Sequence, residues 1–284
     1  MAANIPQPLP DNLVALPRPG PQRPRKKTRA QSFASGRAII ALMLREMSTR
    51  YGKSPGGFIW AVVEPAGALL LMAFVFSLLL RSPSLGNSFL LFYTTGYLPF
   101  LLYSLTLVTV MGALSFSKPL LMYPAVNWLD AILARFFLNA LTSVTVGSIV
   151  LFCVLEFTDA TAVLEFRHMV MSMGLAALLG LGHGTLNCAL VGLFPVYGSI
   201  WAIATRPLLI AAGVFFLYED LSPTLQSVLE WMPWIHFTAM FRQGVYPTYS
   251  PEFISIPLML IWAMVPLMFG LLLLRRHRQT ILMR

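Results

Sequence analysis

A chain of 284 residues in which 57% of positions are hydrophobic and only 11% are charged, with a mean hydropathy of +0.72, lies far from the composition of a soluble domain. Its net charge of +9 comes from cations placed beside apolar segments, which makes it a topology signal and argues against a nucleic-acid partner. Two cysteines, Cys153 and Cys188, fall on different apolar segments near opposite membrane faces, so neither a disulfide framework nor a zinc site is expected.

Residues 1–30 carry seven prolines in the first 24 positions and then a basic cluster from Arg23 to Arg29. They predict a disordered cytoplasmic arm able to touch anionic lipid. The apolar stretch behind the cluster is interrupted at Arg45 and Glu46 and shows no cleavage site, so a signal peptide is not expected. Over residues 31–54, Phe33, Ile40, Met43, Leu44, Met47 and Tyr51 recur with helical period between Arg45, Ser48, Thr49 and Arg50. That pattern predicts an amphipathic helix lying in the inner interface, ended by Gly52 and Pro55.

Residues 55–284 predict an all-α polytopic domain of six membrane spans. A bilayer core of roughly 30 Å needs about 20 apolar residues per helix, and stretches of that kind lie near 57–80, 90–113, 131–153, 169–192, 199–218 and 254–274. Lipid cannot satisfy free backbone N–H and C=O groups, so spans of this length are helices. Ten cations between Arg18 and Lys53, then Lys118 and the C-terminal Arg275, Arg276, Arg278 and Arg284, put both termini in the cytoplasm.

Between spans two and three, Lys118 to Asp130 is a short cytoplasmic stretch bracketed by Pro119 and Pro124. The fourth span carries Gly180 and Gly184 at a spacing that allows close helix approach. Segment 219–252 is too apolar for a solvated loop, with Leu225, Val228, Trp231, Trp234 and Phe237. It predicts two short re-entrant helices broken near Pro233.

Ionisable groups inside spans are costly and invite a functional reading. Glu64 and Arg206 each lie about seven residues in from the cytoplasmic side, roughly 11 Å deep at 1.5 Å per residue. Pro65 and Pro207 follow them and bend each helix. Equal depth and opposite charge suggest a shared polar path in which Arg206 meets an anionic substrate; an internal ion pair, or an arginine reaching the inner interface, is the plainer alternative. Trp60, Tyr197, Trp201, Phe215, Phe216 and Tyr218 could stack on sugar faces, or anchor span ends. His183 reads as a hydrogen-bonded packing residue, with a proton relay as the alternative. Trp231, His236 and Arg242 mark the re-entrant segment, where the last two either line an outer exit or cap broken helices.

No enzyme motif survives inspection. Gly52-Lys53-Ser54 ends like a phosphate loop, but Met47 stands where glycine is required and Pro55 interrupts the helix. Ser115 to Lys118 lacks the companions of a serine–lysine site. No catalytic residue, metal site or cofactor is assigned to this chain.

Leu44-Arg45-Glu46 through Thr49-Arg50-Tyr51-Gly52, then Gly57, Trp60, Glu64 and Pro65, resemble the permease subunits of type-2 ABC exporters, most of all the capsular polysaccharide permeases of Gram-negative bacteria. The order continues through Gly96, Pro99 and Phe100, Tyr123, Val126, Asp130 and Arg135, then Arg206-Pro207 and Trp231, Pro233, His236, Arg242, Pro247 and Tyr249, with departures at Met232 and Ala239. The resemblance implies a homodimer in the bacterial inner membrane, bound to two copies of a cytoplasmic ATPase that binds the ATP and magnesium. It places Arg45, Glu46, Arg50, Lys118, Tyr123 and Asp130 at that ATPase, and the first and fifth spans along the channel. It implies as cargo an acidic polysaccharide attached to a lipid through a Kdo-containing linker and handed to periplasmic adaptor and outer-membrane export proteins. Export of another glycolipid, O-antigen or amphiphile is the nearest alternative. An intramembrane glycosyl- or acyltransferase, or a secondary transporter, would be a different class.

Overall fold

The computed structural model describes residues 34–51, 56–121, 126–158 and 163–283. The proline-rich arm and Tyr123 lie outside the described residues, as does the side chain of Arg50. Eleven α-helices account for most of what is described, and no strand occurs among the described residues.

Helix α1 (Ala34–Tyr51) precedes α2 (Gly57–Leu79). Then come α3 (Phe89–Met111) with the short α4 (Ala113–Leu121), α5 (Trp128–Phe157) and α6 (Phe166–Leu193). After four short helices between residues 195 and 243, α11 (Ile256–Met283) closes the described residues. Among the described residues five segments are long and apolar enough to cross a membrane: Ile59–Leu79, Phe89–Leu121, Trp128–Phe157, Phe166–Leu193 and Ile256–Ile281.

The predicted fifth span, 199–218, is not a single helix. Helix α7 (Pro195–Ala204) ends before Arg206-Pro207, α8 (Leu208–Ala211) adds one turn, and Gly213 takes a left-handed φ of 68°. Proline lacks the N–H that would continue the ladder, and a left-handed residue suits glycine, so the two together break the helix. Residues 214–217 then run without helical bonds into a single 3₁₀ turn, Tyr218–Asp220. The expected pair of short helices does follow, α9 (Pro223–Leu229) and α10 (Pro233–Gln243), with Pro233 opening the second.

Helix α6 is the centre of the packing, between α3 and α11. A β-carbon at Gly180 would sit 2.8 Å from the Tyr103 carbonyl, and one at Gly184 would sit 2.9 Å from that of Leu107, both on α3. One at Gly182 would run into the Ala263 carbonyl of α11. The glycines therefore draw two helices against opposite sides of α6, where lipid supplies no hydrophobic drive and close contact must supply the attraction. Polar links cross the same layer: Tyr103 Oη meets His183 Nδ1 at 3.0 Å, and Asn139 Nδ2 donates to Thr106 Oγ1 at 3.0 Å. The rings of Tyr103, Trp234 and Trp262 stand 5.9 to 6.3 Å from the His183 ring. This boxed, bonded histidine fits the packing role.

Candidate functional site

The break after α7 leaves backbone carbonyls that need donors, because buried polar backbone without a partner is costly. Helix α10 supplies them. Thr238 Oγ1 donates to the Ala212 carbonyl at 2.6 Å, and Arg242 donates to Val214 O through Nη2 and to Phe216 O through Nη1, both at 3.0 Å. The Arg242 guanidinium also lies 4.3 Å from the Phe92 ring centre. Only Gly96 leaves room for it on α3: a β-carbon there would stand 2.9 Å from Nη2 and 3.1 Å from Val214 Cα.

Arg242 is 2% exposed. Burial lowers its guanidinium to about 10, opposed by nearby Tyr249, Tyr246 and Glu219, so it stays cationic at neutral pH. Its bonds join α10 to the broken segment, the second of the two roles left open for it. His236, fully buried, has the same character. Ser255 N–H donates to its Nδ1 at 3.2 Å, which puts the proton on Nε2, and Nε2 donates to the Glu230 carbonyl at 2.7 Å. Burial lowers its pKa, in keeping with this neutral form. Trp231, by contrast, is exposed.

The other residues of the expected substrate path divide in two. Phe215 stacks on Phe76 of α2 at 5.3 Å and Tyr218 stacks on Phe253 at 3.9 Å, while Trp201 lies 6.0 Å from Tyr197. These three are packed against their own chain. Glu64, Trp60 and Arg206 are exposed. No ion pair joins Glu64 to Arg206, because α2 packs on α3 and α5 whereas α7 packs on α6.

Glu64 lies seven residues from the start of α2, about 11 Å along at 1.5 Å per residue, and Arg206 lies past the end of α7, in the turn before α8. Arg206 differs from its buried counterparts: among the described residues its guanidinium makes no hydrogen bond or ion pair.

Residues expected to meet an ATPase are partly occupied within the chain. Glu46 is 7% exposed, with Oε1 3.0 Å from Arg135 Nη2 and Oε2 accepting from Nε at 3.1 Å. Arg135 also donates to the Thr109 carbonyl at 2.8 Å, near the end of α3 where carbonyls lack helical partners, and covers Phe116 at 4.2 Å. Asp130 is buried too: Oδ2 accepts the Asn127 N–H that starts α5, at 3.0 Å, and Oδ1 accepts from Ser35 Oγ at 2.7 Å. Ser35–Asp130 and Glu46–Arg135 thus fasten α1 to α5. Arg45 is exposed and Lys118 half-buried.

Thr238 and Ser35 went unnoticed in the sequence. The spacing of Asn127 and Asp130 is a helix-start signature that could have shown Asp130 to be engaged. Removing Glu46 would leave Arg135 buried without its partner. Glu46→Ala should cost about 3 kcal/mol, and adding Arg135→Met should recover most of it. Thermal unfolding of the single and double variants in detergent checks this; equal losses in both would show that the pair does not hold α1.

Long apolar helices, a glycine-packed centre and a proline-broken segment held by buried donors are the marks of an integral membrane protein. The profile of the ABC-2 type transporter family matches residues 37–246, and the chain belongs to that family. It is similar to the capsule polysaccharide export inner-membrane protein BexB of Haemophilus influenzae, 31% identical over 262 residues, covering 90% of this chain and 97% of that one. It is also similar to CtrC, a protein of the same description from Neisseria meningitidis serogroup B, 31% identical over 88% of this chain and 95% of the relative. A third relative, the polysialic acid transport protein KpsM of Escherichia coli, is 28% identical over 86% of this chain and 95% of its own.

Proposed function

We propose that this chain is the membrane subunit of an ATP-driven exporter that moves a lipid-linked, acidic capsular polysaccharide across the bacterial inner membrane. One observation carries the reading: relatives named for capsule polysaccharide export align with it over nearly their whole length. On this reading two copies pair and bind two cytoplasmic ATPases, which hold the ATP and magnesium, and periplasmic and outer-membrane proteins take over the cargo. Both termini are cytoplasmic, in keeping with the flanking cations.

Residues 195–217 make the sixth crossing in broken form, and α9–α10 form the re-entrant pair. Broken helices bound to neighbouring donors are the usual way for irregular backbone to exist at membrane depth. Helix α1 lies along the inner interface. Its apolar Ile40, Leu44 and Met47 are exposed, and at 100° per residue they fall on the side opposite Ser35 and Glu46. Arg45, Lys118 and the stretch towards Asp130 seat the ATPase, while Glu46 and Asp130 transmit its motion by tying α1 to α5.

The test is reconstitution into vesicles with and without the cognate ATPase. ATP-dependent translocation of the glycolipid is expected only when both are present. Uphill movement by this chain alone, or bond-forming chemistry on the glycolipid, would sink the proposal.

A further inference from the structure

Helices α5 and α6 are consecutive, yet each packs on α3 far more than on the other. A furrow of about 460 Å³ runs between them, closed on the inside by Leu98 and Leu102 of α3. Its lining extends from Ala140 to Leu155 on α5 and from Phe166 to Ala177 on α6, roughly 22 Å and 16 Å at 1.5 Å per residue. Half of a hydrocarbon core about 30 Å thick is about 15 Å, so the furrow spans one leaflet.

The furrow is apolar and open to the side. Among the described residues Ser148 is its only polar lining residue, and that hydroxyl donates to the Val144 carbonyl at 2.9 Å. A space lined in this way does not hold water. A β-carbon at Gly174 would meet nothing within 4 Å, so this glycine, unlike Gly180 and Gly184, draws no helix close and simply leaves the furrow wide. Phe152, Phe166 and Val170 on the rim are exposed.

Opposite charges stand at the mouth, one on each wall. At 100° per residue Arg167 falls within about 20° of Gly174 on α6, and Glu156, next to Leu155, falls within about 40° of Phe152 on α5. Both are exposed, and among the described residues neither makes a hydrogen bond or ion pair, with the other or elsewhere. Glu165, the other acid at this end of α6, lies 3.1 Å from His168.

We propose that the furrow holds one acyl chain of a bilayer phospholipid with an ethanolamine head, its phosphate on Arg167 and its ammonium on Glu156. Size decides against a second copy of the chain. A helix about 10 Å across would fill roughly 1,200 Å³ over such a length, well above the space between α5 and α6. Charge decides the head. A purely anionic head leaves Glu156 unmatched, and a phosphocholine head offers the carboxylate no N–H, whereas a primary ammonium donates as lysine does. On the orientation proposed above, this is the outer leaflet. The lodged chain joins α5 to α6 where the protein leaves a gap, on helices other than those that carry Trp60, Glu64 and Arg206. The inference does not depend on the nature of the cargo.

The test uses the full chain in dodecyl maltoside, given dioleoyl phosphatidylethanolamine, phosphatidylcholine or phosphatidylglycerol, with bound lipid counted by native mass spectrometry and the melting temperature recorded. One ethanolamine lipid per chain should be retained, at least about tenfold more tightly than the other two, with a rise in melting temperature. Gly174→Leu should remove both effects while the lipid-free protein melts no lower than the parent, because the new side chain enters empty space. Arg167→Ala and Glu156→Gln, at exposed positions, should each weaken retention about tenfold. Equal retention of the three lipids, preference for phosphatidylglycerol, or retention unchanged in these variants would overturn the proposal. So would loss of pairing between copies in Gly174→Leu, which would put a second copy in the furrow. None of these readouts needs ATP or cargo, so lipid binding and export fall separately.

Discussion

Arg242→Met should unfold the region around the broken helix, costing about 3 kcal/mol or more and leaving little monodisperse protein after extraction. The size follows from what the substitution abandons. Methionine approximates the volume but leaves the carbonyls of Val214 and Phe216 without donors. Each buried unsatisfied group costs roughly 1 to 3 kcal/mol, and donors carrying a full charge stand at the upper end. Relief from burying the guanidinium works in the other direction. It is modest here, because the charge already has two carbonyls and the Phe92 face.

Lysine keeps the charge but is a compact point donor without the guanidinium's rigid fork, so Arg242→Lys should fall between. Thr238→Val removes one neutral donor, whose shortest bond is to the Ala212 carbonyl, and should cost about 1 to 2 kcal/mol. Thermal unfolding in one detergent ranks the three variants. An Arg242→Met protein that melts with the parent would show that segment 212–217 is held by something other than α10.

Where helical period and apolar length decide the outcome, the sequence reads well. The starts and ends of α2 and α6 agree with expectation to within a few residues. Helix α11 runs to Met283, beyond the expected end at 274, because Arg275, Arg276 and Arg278 are good helix formers whose long stems let the charges reach water. Segment 199–218 misleads because its hydropathy is continuous across the break. Pro207 and Gly213 carried the signal, but the donors that make unwinding tolerable lie 26 and 28 residues further on.

Glu46 misleads for a related reason. An acid on an amphipathic helix looks like surface, yet its partner is Arg135, 89 residues away. Long-range polar pairing leaves no periodic trace, so residues of this kind were legible as important and not as occupied. Glu64 is the converse case. Its place in an apolar run announced a cost, and the structure adds the neighbours that share its cleft, Tyr97, Asn139, Thr142 and Ser143.

Arg206→Ala should reduce export to below about a tenth of the parent while leaving insertion, stability and binding of the ATPase unchanged. Arg135, Arg206 and Arg242 differ in what holds them. Arg135 is spent on Glu46 and Thr109, and Arg242 on two carbonyls. Arg206 is exposed at the break between α7 and α8, bound to nothing among the described residues, so its removal strands no partner and costs the fold little. A guanidinium free at membrane depth is available to an anion, and one charge-assisted bond to a carboxylate is worth roughly 1.5 to 3 kcal/mol, a factor of about 10 to 150. On the proposed export of an acidic polymer, each acidic group would meet that residue in turn, so the expected loss falls on rate and not only on affinity. Arg206→Lys keeps the charge without the fork and should retain part of the activity, and Arg206→Glu should retain none. Export measured in the reconstituted complex, beside the ATPase rate and the melting temperature of each variant, separates these outcomes. Normal export by Arg206→Ala would remove the arginine from the cargo's path, and a collapse of stability would assign it to the scaffold.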